Sequence, residues 1–225
     1  LGGVDILVNN AGIGQRCAIL DMAVEEWERV LAVNLRGNFL CSQAVGKELV
    51  QQGRGGRIVS IVSTAAENAR VNAAAYCASK AGILQFIRVL AQELGQYGIT
   101  ANAVYPGGAT RMTETVPDSS RQLRAAAVAT TEIRTQGEPI QGPPEARDPA
   151  NNAPKAVYLC SEAAGNITGQ VIGTSGWQMT LYSPRHVTRS IHKNGRWTLD
   201  ELDELIPISL AQGLTNPMPA APPRE

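Results

Sequence analysis

The chain has 225 residues, 44% hydrophobic and 18% charged, with Lys+Arg 20 against Asp+Glu 20. That length suits one α/β domain, and a net charge of zero excludes a surface built to grip a nucleic-acid backbone. No apolar run approaches the roughly 18 residues of a membrane helix, and no signal peptide is visible, so the cytoplasm is the expected location. The four cysteines (Cys17, Cys41, Cys77, Cys160) form no CxxC pair and read as buried thiols in a reducing compartment.

The chain opens at Leu1 and runs almost at once into Val4–Asn9, an apolar, β-branched stretch that predicts a buried strand. Apolar residues at Trp27, Val30, Leu31, Leu35, Phe39 and Leu40 predict a long helix from about Val24 to Gln52, stopped by Gly53-Arg54-Gly55-Gly56. Arg57–Ser63 reads as a second strand. A second long helix follows from about Ala74 to Tyr97, closed by Gly98, and Ile99–Tyr105 reads as a third strand.

Between Pro106 and Pro149 lie six of the 13 prolines and no clear periodicity, as in a substrate loop or lid over about 106–150. Asn151–Glu162 reads as a short helix and Gly169–Thr174 as a last strand. Beyond Trp177 the pattern is weak until Thr198 and Glu201, whose spacing is that of a capping box. Residues 177–225 read as a C-terminal extension ending in a disordered, proline-rich tail. Alternating strands and helices predict a doubly wound parallel sheet with crossover helices, and the unbroken apolar strands fit it.

One constellation carries chemistry: Ser63, Tyr76 and Lys80. Tyr and Lys four apart share a helix face, so the ammonium sits beside the phenol and favours its ionised form. Ser63 stands at the preceding strand end, where parallel sheets gather their ligands. With only five tyrosines in the chain, composition alone makes this spacing rare. Gly12-Ile13-Gly14-Gln15-Arg16-Cys17 nearly spells a dinucleotide fingerprint, but the third glycine is missing and no helix pattern starts there.

A Ser, twelve residues and Tyr-x-x-x-Lys, with Asn9-Asn10-Ala11-Gly12 after the first strand, resembles the short-chain dehydrogenase/reductase family. Asn34 within VNLRG and Pro106-Gly107 after the third strand match further family motifs, and the matches span residues 1 to about 176. The resemblance implies a Rossmann-like fold and hydride exchange between NAD or NADP and an alcohol or carbonyl substrate. It implies Tyr76 as general acid/base, Ser63 as the residue that orients the carbonyl, and Lys80 as the group that tunes Tyr76 and holds the nicotinamide ribose. Asn34 would anchor a water relaying protons to Lys80; read alone, it is a helix-kinking polar residue beside Gly37. Asn9, Asn10, Ala11, Gly12, Pro106 and Gly107 would line the cofactor.

The family's glycine-rich phosphate loop and the residue separating NAD from NADP are absent. By resemblance the chain is expected to lack the first three strands of a longer domain, to leave Val4–Asn9 as a sheet edge, and to be inactive alone. The helices 24–52 and 74–97 would pair subunits into a homodimer or homotetramer. Ala109–Glu114, Gly176-Trp177 and the segment WTLDELDELIP resemble, more loosely, the branch holding the (3R)-hydroxyacyl-CoA dehydrogenase domain of multifunctional enzyme type 2 and its bacterial relatives. That implies a 3-hydroxyacyl-CoA or 3-oxoacyl thioester. The rival reading is a non-catalytic binding module or the inactive partner of a hetero-oligomer. His186 and His192 lack metal-ligand spacing, so no metal is expected. Arg111, Arg121, Arg124, Arg134 and Arg147 read as a solvated loop, with an anion-gripping lid as the alternative.

Overall fold

The computed structural model describes residues 2–108 and 144–214. Among these, 2–108 and 144–182 form one compact unit and 183–214 another. The first unit is built on a five-stranded sheet in the order β1-β2-β3-β4-β5. Its strands are β1 (Ile6–Asn9), β2 (Gly56–Ile61), β3 (Ile99–Tyr105), β4 (Val171–Gly173) and β5 (Thr180–Tyr182). The first four run parallel, and β5 pairs antiparallel with β4.

Residue parity along the strands assigns the two faces of the sheet. Ile58 on β2 and Ile99, Ala101, Ala103 and Tyr105 on β3 pack with Leu49, Ile83, Ile87 and Leu90 in the main core. The alternate residues Val59, Val104 and Ile172 pack with Leu159 on the opposite face. Each such buried aliphatic side chain contributes about 1.5–3 kcal/mol. The first face is covered by α2 (Gly37–Gln52) and α3 (Ala74–Leu94), the second by the shorter α4 (Ala153–Leu159).

The expected helix over 24–52 is one helical path with an internal irregularity. It comprises α1 (Val24–Leu31), a π-helical turn at Ala32–Arg36, and α2. Within the turn the Gly37 N–H reaches back five residues to the Ala32 carbonyl. Such wide turns cluster at functional sites, and this one holds the buried Asn34. The helix stops at Gly53 as expected, while α3 tightens into a 3-10 turn at Gly95–Tyr97 before Gly98.

Several expectations need correction. Val4–Asn9 reads as a buried strand, yet Ile6 and Val8 are 46% and 47% exposed. Among the described residues β1 has one neighbour, β2, and Leu7 rather than these two side chains packs on the main core. The second strand ends at Ile61, so Ser63 begins the following turn instead of closing the strand. The sheet also continues past residue 176: β5 adds an edge strand that the sequence reading passes over. Tyr182 joins the core through an edge-on contact with Tyr105, ring centroids 4.9 Å apart. None of the four thiols expected to be buried is so: Cys41 is exposed and Cys17, Cys77 and Cys160 are half-buried, although all four are free.

In the second unit, α5 (Leu199–Ile208) opens with the expected capping box. Thr198 Oγ1 accepts from the Glu201 N–H at 3.3 Å, and the Glu201 carboxylate accepts from the Thr198 N–H at 2.8 Å. Lys193 pairs with Glu201, and together with Thr198 it holds that carboxyl down at about 2. No helix among the described residues is long and apolar enough to cross a membrane. The loop over 109–143 and the tail from 215 lie outside the described residues, as do Arg111, Arg121, Arg124 and Arg134. Arg147 is exposed at the end of a 3-10 turn.

Candidate active site

Ser63, Tyr76 and Lys80 come together where β2 ends and α3 begins, and all three are buried. Ser63 caps the 3-10 turn Thr64–Ala66, its Oγ accepting from the Ala65 N–H at 3.1 Å. Tyr76 lies in the first turn of α3 and Lys80 one turn later. Lys80 Nζ donates to the Ile61 carbonyl at 2.9 Å and lies 5.8 Å from the Tyr76 ring centroid. The lysine thereby ties α3 to the end of β2, two residues before Ser63. Burial disfavours its charged form and brings its pKa down from 10.5 to about 8.

Asn34 fixes the floor of this site. Its Oδ1 accepts from the Ile13 N–H at 2.8 Å, and its Nδ2 donates to the Ile13 carbonyl at 3.0 Å and to Ser79 Oγ at 3.0 Å. Ser79 in turn donates to the Tyr76 carbonyl at 2.7 Å. One carboxamide therefore joins the turn after β1 to the helix that carries Tyr76 and Lys80. Gly12 sits in that turn, where a Cβ would lie 3.4 Å from Asn34 Oδ1 and 3.5 Å from Lys80 Nζ.

Asn9, expected on the cofactor side, directs its carboxamide into the core face. Its Nδ2 donates to Ser42 Oγ at 2.9 Å, Ser60 Oγ at 3.3 Å and Asn38 Oδ1 at 3.4 Å. Asn38 Nδ2 also donates to Ser60 Oγ at 3.0 Å. This closed network pins the turn onto α2 and β2, so the Asn9 side chain supports the turn from behind.

A cavity of about 560 Å³ opens beside these residues, and its wall includes Asn10, Ser63, Tyr76, Pro106 and Gly107. Of the expected residues, Asn9, Ala11, Gly12, Asn34 and Lys80 stand outside the wall. The Pro106-Gly107 turn is clamped by Asn152, an arrangement the sequence reading missed. The Gly107 N–H donates to Asn152 Oδ1 at 3.2 Å, and Asn152 Nδ2 donates to the Gly107 carbonyl at 2.7 Å. Thr174 after β4 donates to the same Oδ1 at 2.6 Å. Gly107 is required by close approach: a Cβ there would lie 2.8 Å from Ser175 Cα. Ser79 and the partners of Asn9 were missed too. Their contacts span up to 51 residues, and no local motif announces them.

The incomplete glycine fingerprint at 12–17 opens no helix; Cys17 makes an isolated bridge to Ala73. His186 and His192 are exposed, and among the described residues no group of three His, Cys, Asp or Glu side chains is placed to hold a metal.

The short chain dehydrogenase family model matches residues 1–122. Hydroxyacyl-CoA dehydrogenase ChsB1 of Mycobacterium tuberculosis is 34% identical over 210 residues, covering 90% of this chain and 61% of that protein. The human (3R)-3-hydroxyacyl-CoA dehydrogenase is 36% identical over 172 residues, covering 76% and 61%. This chain thus spans about three-fifths of the length of both relatives. The crystal structure of a short chain dehydrogenase from Mycobacterium avium superposes with a TM-score of 0.76 at 29% identity, covering 95% of this chain and 67% of that one. A parallel sheet with Ser63, Tyr76 and Lys80 gathered beyond the end of β2 agrees with that match, and the chain belongs to the short-chain dehydrogenase family.

Proposed function

We propose that the protein is an NAD(P)-dependent oxidoreductase interconverting a secondary alcohol and its carbonyl, with a 3-hydroxyacyl or 3-oxoacyl thioester as substrate. The observation that carries it is the buried Lys80 amine beside Tyr76, with Tyr76 and Ser63 on the wall of one cavity. The site suits the nicotinamide-ribose end of a dinucleotide. Lys80 uses one of its three N–H donors on Ile61, and the glycine at position 12 keeps the turn clear beside it. Lys80 would hold the ribose hydroxyls, with Asn10, Pro106 and Gly107 along the adjoining wall. The bound nicotinamide would supply or accept the hydride.

Ser63 hydrogen-bonds the substrate oxygen and fixes its direction. Tyr76 gives its phenolic proton to that oxygen during reduction and takes it back during oxidation. The Lys80 ammonium stabilises the negative charge left on the phenol oxygen. Asn34 is a positioning residue whose side chain is committed to Ile13 and Ser79, so a water relay at Asn34 would use its backbone.

The acyl-thioester assignment is supported by the names of the Mycobacterium tuberculosis and human relatives. Exposed Phe39 and Leu40 on α2 and Val89 on α3 support a dimer or tetramer formed through these helices. The four free thiols support a cytoplasmic location.

The test is turnover followed by nicotinamide absorbance, with NAD and NADP, on 3-hydroxyacyl-CoA, a steroid alcohol and a polyol. The thioester is expected to be preferred, and Tyr76→Phe to lower kcat by about 10²–10⁴-fold. Equal turnover of all three classes would reject the thioester. Turnover unaffected by Tyr76→Phe would reject the catalytic assignment in favour of a binding module.

A further inference from the structure

Lys155 stands outside the cavity wall and has no part in the mechanism above, yet its ammonium is fully engaged. It lies in the first turn of α4, the helix whose Ala153, Ala156 and Val157 line the cavity. A cation at that end opposes the helix dipole, so helix formation alone does not account for it. Its Nζ donates to the Thr174 carbonyl at 3.2 Å, to the Gln178 carbonyl at 3.0 Å and to the Gly176 carbonyl. Three N–H donors thus meet three neutral carbonyls of one loop, the one joining β4 to β5.

That loop buttresses the cavity wall. Ser175 lies so close to Gly107 that a Cβ on the glycine would come within 2.8 Å of Ser175 Cα. The Thr174 N–H donates to the Tyr105 carbonyl at 3.0 Å, immediately before Pro106. Asn152 joins the same parts through Thr174 Oγ1 and through both backbone groups of Gly107. Asn152 and Lys155 therefore fasten α4 to the turn after β3 and to the loop after β4. Of these pieces, Pro106, Gly107 and α4 are wall, and residues 174–178 are the support against which Gly107 packs.

A second cation grips three carbonyls in the other unit, and its setting differs. Arg189 donates to the Ser209, Leu210 and Gln212 carbonyls, at the C-terminal end of α5. A helix C-terminus leaves carbonyls without partners and attracts cations, so Arg189 is a cap. The carbonyls at Lys155 belong to a loop between strands, and that loop abuts the wall assigned to the cofactor. We infer that Lys155 is a positioning residue for the dinucleotide. It is a tethered cation that holds residues 174–178, and through Ser175 the Pro106-Gly107 wall, in the arrangement that receives the nicotinamide end. The assignment rests on the oxidoreductase reading, which gives that wall its ligand. Linkage makes the effect mutual: if the grip of Lys155 favours the dinucleotide, the dinucleotide tightens that grip by the same factor.

The first test needs no variant. Lysines of the wild-type protein are acylated with limiting reagent and followed by mass spectrometry, with and without saturating NADH or NADPH. Lys155 is off the cavity wall, so a ligand there does not shield it directly. Its labelling is nevertheless expected to slow about tenfold, with Lys193 in the second unit unchanged as the reference. The second test measures dinucleotide binding by fluorescence titration. Lys155→Ala is expected to raise the Kd about tenfold, and in turnover the loss should appear in the dinucleotide KM rather than in kcat. Propylammonium, which replaces the missing ammonium, should return the Kd to within about threefold of wild type. Tetramethylammonium at the same concentration has no N–H to donate and should not.

Wild-type Lys155 labelling that ignores NADH and NADPH would overturn the positioning role, even where Lys155→Ala does not fold. So would an unchanged Kd in Lys155→Ala, or a weakened one that the two ammonium ions restore alike or not at all. Dinucleotide binding with the expected Lys155 effects but no turnover of any substrate would keep the positioning role and reject the oxidoreductase reading. A wild-type protein that binds neither NADH nor NADPH would reject both.

Discussion

Two groups of polar side chains lie near the ends of β1 and β2, and they are built in opposite ways. Asn9, Asn38, Ser42 and Ser60 hydrogen-bond one another in a closed set. Asn38, Ser42 and Ser60 are buried and Asn9 half-buried. Ser63, Tyr76 and Lys80 are buried as well, yet among the described residues Lys80 keeps donors in reserve, and Ser63 and Tyr76 face a cavity. A satisfied buried network rigidifies the structure around it, whereas an incompletely satisfied one costs stability. The contrast teaches which group holds the turn after β1 and which is poised for a ligand. Asn34 joins them, gripping that turn on one side and α3 on the other through Ser79.

Breaking the closed set gives the largest expected effect on stability. Asn9→Ala takes the donor from Ser42 Oγ and one donor each from Ser60 and Asn38, which keep each other, and chemical denaturation should show a loss of about 2 kcal/mol. A loss below about 0.5 kcal/mol would put the network among dispensable surface contacts. Ser79→Ala should act more gently. It removes one of three Asn34 hydrogen bonds, for a cost of about 1 kcal/mol. Because Ser79 also holds the Tyr76 carbonyl, kcat should fall with little change in KM.

Much of this was legible from sequence because it is encoded locally. Ile99–Tyr105 has the bounds that its apolar run and flanking glycine and proline indicate. The spacing of Ser63, Tyr76 and Lys80 carried their proximity, since a helix places residues four apart on one face. The Thr198–Glu201 capping box was readable for the same reason. What escaped depends on distant contacts. Nothing in Asn152 itself shows that it clamps a turn 45 residues earlier. The three residues of β5 are too few to show alternation and gain their place by pairing with β4. Ile6 and Val8 are apolar enough to be read as buried, but pattern does not reveal which face of a strand is covered.

Lys80 offers the most direct test of the contrast between the two groups. Its pKa lies near 8 in the folded protein against 10.5 ordinarily, so the unfolded chain binds more protons between those values. Stability therefore rises as the pH climbs from about 8 to 10.5, and the full cost of burying the ammonium is borne below about 8. The decisive measurement is the unfolding free energy of wild type and Lys80→Met across pH 7 to 10.5. The substitution is expected to stabilise the protein by about 1–2 kcal/mol at pH 7, after the lost bond to Ile61 offsets part of the gain. That advantage should shrink steadily above pH 8. A Lys80→Met protein less stable than wild type at pH 7, with a difference that does not change with pH, would contradict the account.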